Sequence, residues 1–298
     1  MKRNWSRPLV AARRMLLITV AVGGVLGGIA SAQPGVSFGP PSCAGLPSQS
    51  ALQTQLQNAV GVTGNGGLGF NMWASVVAND GTVCAVAFSG TDYTNQWLGS
   101  RVISAQKANT ANDFSLGEGS HIPAGSGFPH GLALSTANLY SAVQPGGSLY
   151  GLQHSNPVDP EVAYAGFAGA YGTPLDPMVG QRVGGVNVFG GGLVLMTTGG
   201  IKVGGLGVSG DTSCTDHMVA WRLRHALNLD HFGPTTTAVG GVSGSASYPD
   251  NIIFDINPTP NGGLLDPVGT LSQSTSGFGH PACLNPPNLG TLPAVQHP

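Results

Sequence analysis

Lys107 is one of few cations in this chain, and its spacing gives it chemical interest. Ile103, Lys107, Ala111 and Phe114 recur at helical intervals within residues 100–114, so an ammonium falls on an apolar stripe. A lysine at the edge of such a stripe snorkels to water, whereas one that faces a cavity can hold a carboxylate. A second group lies a hundred residues on. Asp211, Asp216 and His217 cluster where a strand gives way to a helix. Backbone N–H groups at a helix start attract anions, and His217 there can act as a metal ligand, general base or hydrogen-bond donor. The plainer role for this group is capping, with His217 an ordinary surface residue. His130 opens an apolar run, His154 sits in a polar loop, and Arg101 lies less than two turns before Lys107.

Several motifs fail. Gly205 to Gly210 spells G-x-G-x-x-G between a strand and a helix, but a hairpin precedes it rather than a βαβ unit, and Asp230 ends a helix rather than a strand. Gly207-Val208-Ser209-Gly210-Asp211 misses G-x-S-x-G at its last place, so no nucleophile elbow is present. H-E-x-x-H and C-x-x-C-H are absent, which excludes covalent c-type haem attachment. His217 and His225 are too far apart along one helix to share a metal ion.

The elements that must position these residues are legible in outline. Leu46 to Val60 reads as a helix with Leu52 and Leu56 inward. Phe70 to Ala78 alternates as a strand, Asn79-Asp80-Gly81 turns, and Val83 to Phe88 returns. Ser100 to Phe114 is a helix, and Pro129 to Val143 is expected to be another, with Leu132, Thr136 and Leu139 inward. A short helix is expected within Glu161 to Tyr171. The densest pattern follows. Val186, Val188, Leu193 and Leu195 flank the Gly190–Gly192 run, Gly199-Gly200 turns, and Ile201 to Val208 forms the next strand. Ser213 and Asp216 imitate a capping box for a helix that buries Val219, Leu223, Ala226 and Leu227. Beyond His231 the chain is rich in Gly, Pro, Ser, Thr and Asn. Only Asn251 to Ile256 reads as a strand there, and the last ten or so residues are expected to be disordered.

Lys2, Arg3, Arg7, Arg13 and Arg14 precede an apolar run, Met15 to Ile29, and a small-residue site at Ala30-Ser31-Ala32. This is the form of a secretory signal peptide, residues 1–32, for the Sec or twin-arginine route. The run is short for a membrane anchor. Cleavage would leave six Lys and Arg against 13 Asp and Glu, a formal charge of −7. That balance argues against nucleic acid and anionic membrane surfaces as partners. Cys43, Cys84, Cys214 and Cys283 suggest two disulfides in an exported protein; spacing does not choose among the three pairings. Without a C-x-x-C pair, a four-cysteine metal site is disfavoured.

The run S100-x-x-x-A-x-x-K-A-x-T-A-x-x-F114, followed by V183-G-G-V-N-V and G204-G-L-G-V-S-G-D211, resembles the GlcG/HbpS-like haem-binding (haem-degrading) family over roughly Leu46 to Leu229. The resemblance implies an α+β fold: a profilin-like antiparallel sheet of about five strands flanked by helices, with an irregular C-terminal tail. Together with the residue reading, the chain divides into a signal peptide at 1–32, an irregular leader at 33–45, the family-like domain at 46–232 and an irregular extension at 233–298. The resemblance also implies a homo-oligomer. By the same motifs, Lys107, Thr110, Gly207, Ser209 and Asp211 carry over as pocket positions. The expected function is an exported protein that binds haem or a similar tetrapyrrole, with haem breakdown in some members. His217, His130 or His154 would ligate iron, Lys107 or Arg101 would pair with a propionate, and Asp211 and Asp216 would wall the cofactor site. Two other readings stand beside it. One is an enzyme acting on a hydroxy- or keto-acid, with Lys107 holding the carboxylate and His217 as acid/base; the other is a scaffold with a vestigial pocket.

Overall fold

The computed structural model describes residues 41–257 and 273–297. The expected signal peptide, most of the expected leader and residues 258–272 lie outside the described residues. Helix α1 (Gln49–Val60) starts after Pro47, with the Ser48 hydroxyl accepting from the Ala51 N–H. Leu52 and Leu56 are buried one turn apart, a burial worth about 1.5–3 kcal/mol each. Strands β1 (Trp73–Ala78) and β2 (Val83–Phe88) pair antiparallel. Trp73 and Phe88 are cross-strand partners whose rings stack at 4.5 Å. Helix α2 is Ser100–Asp113.

The middle of the chain departs from expectation. Pro129 to Val143 forms no long helix. It contains a two-residue strand β3 (Leu132–Ala133) and a single helical turn α3 (Leu139–Ala142). Ser135 and Asn138 bond each other through side chains and backbone, the local competition that favours turns over helix. The next segment holds only a capped turn, α4 (Pro160–Ala163), in place of a longer helix.

Strands β4 (Gly192–Thr197) and β5 (Ile201–Ser209) complete an antiparallel sheet in the order β2-β1-β5-β4, four strands rather than about five. Val186 and Val188 fall outside it, because the Asn187 N–H bonds the Thr110 hydroxyl instead of a strand. Both faces of the sheet are covered. Ala74 and Val76 join a core with α1 and with α5 (Ser213–Ala226), whereas Trp73 and Val77 join a second core with α2. The period of two therefore sorts residues between two dry faces. On β5, Leu206 and Val208 enter the first core, while Gly205 and Gly207 lie against α2. A Cβ at Gly207 would collide with the Ser104 carbonyl, so glycine there sets how closely α2 can approach.

The cap of α5 is Thr212, not Ser213; its hydroxyl accepts from the Thr215 N–H. Nor is α5 buried on one face only. Ala226 is exposed, and the outer side is covered by the tail. The Trp221 indole N–H donates to the Pro293 carbonyl at 2.9 Å, and Arg224 forks onto Asp250 at 2.6 and 2.9 Å. Leu292 and Val295 are buried in the main core, so the last described residues are ordered against the domain rather than disordered. Two further strand pairs involve the tail: β6 (Gly240–Gly241) on β3, and β7 (Ile256–Asn257) on β8 (Gln273–Ser274). Asn251 to Asp255 is not a strand; its backbone bonds side chains of Asn138 and His217. The disulfides are Cys43–Cys84 and Cys214–Cys283. No described helix is long and apolar enough to cross a membrane.

Candidate functional site

Lys107 points from α2 past the end of β5 and is fully buried. Its Nζ lies 2.7 Å from Asp216 Oδ2 and 3.0 Å from the Val208 carbonyl, with the Phe189 ring at 4.1 Å. Asp216 Oδ1 accepts the N–H groups of Gly210 and Asp211. Burial pulls the Lys107 pKa down and pushes Asp216 up to about 6; each partner counters that push on the other. The two ions satisfy one another, and neither offers a free face to a ligand.

The remaining sequence-predicted residues divide into three sets. Asp211 joins the Lys107 network through its backbone, while its carboxylate accepts from the Leu68, Phe70 and Thr212 N–H groups and holds the glycine-rich turn before β1. Ser209 is buried at the end of β5, and Thr110 ties residue 187 to α2. Arg101 belongs elsewhere: it forks onto Asp176, donates to the Ala163 carbonyl at 2.9 Å and lies over Tyr171 at 3.7 Å. Arg101 thus organises the 160–178 segment. His130, half-buried, stands 3.3 Å from Glu118, and His154 is exposed on a separate loop.

His217 is fully buried under the tail. Its Nε2 lies 3.0 Å from Asn251 Oδ1 and 3.2 Å from the Ile252 N–H, and Nδ1 has no hydrogen-bond partner among the described residues. Burial holds its pKa down at about 4, so the ring is neutral at pH 7. These residues do not fit a haem at the Lys107–Asp216–His217 cluster. Apart from His217 Nδ1, the polar groups there already face protein partners, and the space beside them is filled by the Gly190–Gly191 backbone.

A cavity borders this network at Asp211. About 310 Å³ in volume, it is lined by Val60, Val62, Phe70, Met72, Thr215 and Val219, with no histidine. Trp97 meets Phe70, one of the lining residues, edge-on. Cys214, His280 and Cys283 bring three ligand-type atoms within 4.8 Å of one another, but both sulfurs are consumed by the disulfide and offer no thiolate.

Sequence reasoning missed the tail residues Asp250, Asn251 and His280. His280 had one usable signal: it precedes Cys283 by three residues, and a Cys214–Cys283 pairing carries it to the start of α5.

A family model described as haem degrading protein HbpS-like matches residues 64–223. A search of curated proteins returns no match. Among solved structures, the Klebsiella pneumoniae protein ORFY is 23% identical, covering 61% of this chain and 90% of its own, at a TM-score of 0.36. A PduOC:haem complex is 22% identical, covering 61% and 93%, at a TM-score of 0.37.

Proposed function

The chain belongs to the HbpS-like haem-degrading protein family, and from that premise we propose that it is an exported protein that binds haem or a related tetrapyrrole. The observation that carries the reading is the family match over residues 64–223, which spans the sheet, α2 and all but the end of α5. The two disulfides suit an oxidising compartment, and the signal sequence supplies the route. Haem breakdown is the activity the family's description names.

The interior cluster is closed, so a bound haem lies on the surface. Among the three expected iron ligands, His130 and His154 reach solvent, whereas His217 is sealed by Asn251 and Ile252. Iron ligation by an imidazole therefore falls to His130 or His154. Arg101 and Lys107 are committed to buried ion pairs and do not meet a propionate.

The test takes the exported chain, whose N-terminus is expected at Gln33, and titrates it with hemin. A Soret shift at micromolar haem is expected, lost in His130→Ala or His154→Ala and kept in His217→Ala. No spectral change in the folded wild type would sink haem binding; loss only in His217→Ala would return the site to the interior.

A further inference from the structure

A second pair of reactive side chains lies at the start of α5, outside the Lys107 network. Ser213 Oγ is 2.6 Å from His280 Nε2, and His280 Nδ1 is 2.7 Å from the Pro281 carbonyl. Carbonyl oxygens only accept, so Nδ1 carries the ring proton and Nε2 presents a lone pair to the serine. The Gly190 N–H donates to Ser213 Oγ at 2.6 Å, so the hydroxyl proton is the one directed at His280. Burial holds the His280 pKa down at about 4, so the ring is neutral at pH 7.

The pair is fixed from both sides. Cys214 follows Ser213, and its disulfide to Cys283 clamps the His280 segment against the helix. Tyr140 packs on the imidazole at 4.9 Å, and Phe254 meets it edge-on at 6.5 Å. Ser213 itself is half-buried. At the helix start the Thr215 and Asp216 N–H groups are held by Thr212, and the Cys214 N–H by Cys283 Sγ. The Ser213 N–H has no partner among the described residues and is free to meet an oxyanion formed on its own side chain.

The geometry points to Ser213 as a nucleophile activated by His280 in the hydrolysis of small, uncharged carboxylic esters. Ser213 Oγ forms a bond to the ester carbonyl carbon while its proton passes to His280 Nε2. The tetrahedral adduct expels the alcohol, which takes that proton, and leaves an acyl group on Ser213. Water, deprotonated by His280, then attacks the acyl carbon and releases the carboxylic acid and the free serine. The aromatic neighbours favour an apolar acyl or aryl group. An anionic substrate is disfavoured, because Lys107, the cation whose charge is felt at His280, is sealed against Asp216. His280 lies outside the family-matched residues 64–223, so this site is a property of the tail-bearing chain.

The oxidised chain, incubated with an aryl fluorophosphonate, is expected to gain one adduct that peptide mass spectrometry maps to Ser213. It should also hydrolyse p-nitrophenyl acetate, with kcat/KM falling about 10²-fold or more in His280→Gln and to the buffer rate in Ser213→Ala. An adduct mapped to Ser213 on the native protein supports the assignment even where deacylation is slow, and that readout does not depend on a variant's folding. Turnover that survives Ser213→Ala, or the absence of both adduct and turnover in disulfide-intact, folded protein, overturns it. Haem binding is read separately by the Soret band, so either result stands alone.

Discussion

At the scale of single residues, Lys107 was the best clue and its role changed most. A lysine on an apolar stripe announces that something must compensate its charge, and helical spacing alone shows that much. The compensating group, Asp216, is 109 residues away, and no local pattern links them. The pair closes the end of the sheet rather than opening a pocket. Removing one partner leaves a buried charge, so Lys107→Met should cost about 3–5 kcal/mol in urea unfolding at pH 7.5. Asp216 is already raised to about 6 by burial. A raised carboxyl favours its neutral form in the fold, so the deficit should shrink as pH falls below about 6. A deficit that stays constant from pH 7.5 to 5 would show that Asp216 is not the partner left behind.

At the scale of elements, strands and helices with strong periodicity were legible: β2 ends where its apolar run ends, and α2 and β5 fall close to their expected bounds. The elements that failed, the Pro129–Val143 helix and the Asn251–Ile256 strand, are segments whose polar side chains bond backbone locally or across the chain. Sequence flags the glycines of β5, but only the packed structure assigns them. Gly205 and Gly207 face α2, where a side chain would strike the helix backbone. Gly207→Ala should therefore destabilise by about 3 kcal/mol or prevent folding, as overpacking against backbone does. Gly125→Ala is the control, since a Cβ there meets nothing and the glycine is not left-handed. Equal urea midpoints for the two variants would refute the close-approach assignment.

At the scale of the whole molecule, the tail completes the domain by covering α5. It is attached through two histidines held neutral: His217 beside Asn251 and His280 beside Ser213. Burial lowers both to about 4, from about 6.5 in the unfolded chain. The unfolded state then binds more protons below pH 6.5, so stability is lost as pH falls, by about 2 kcal/mol per histidine at pH 5. Asp216 shifts the opposite way and offsets part of this. Denaturant midpoints at pH 7.5 and 5.0 should show a smaller acid loss in His280→Gln than in the wild type; an identical loss would mean His280 is not held neutral in the fold.

The sequence by itself determined the class of fold, the likeness of residues 100–114 and 183–211 to one family, and the presence of four pairable cysteines. Those features are local in spacing or set by composition. The tertiary structure alone decided which charges meet, how the cysteines pair, and that an apparently featureless tail seals one helix and brings His280 to Ser213. These are contacts between residues tens to more than a hundred positions apart, and the burial that gives them meaning exists only after the layers have packed.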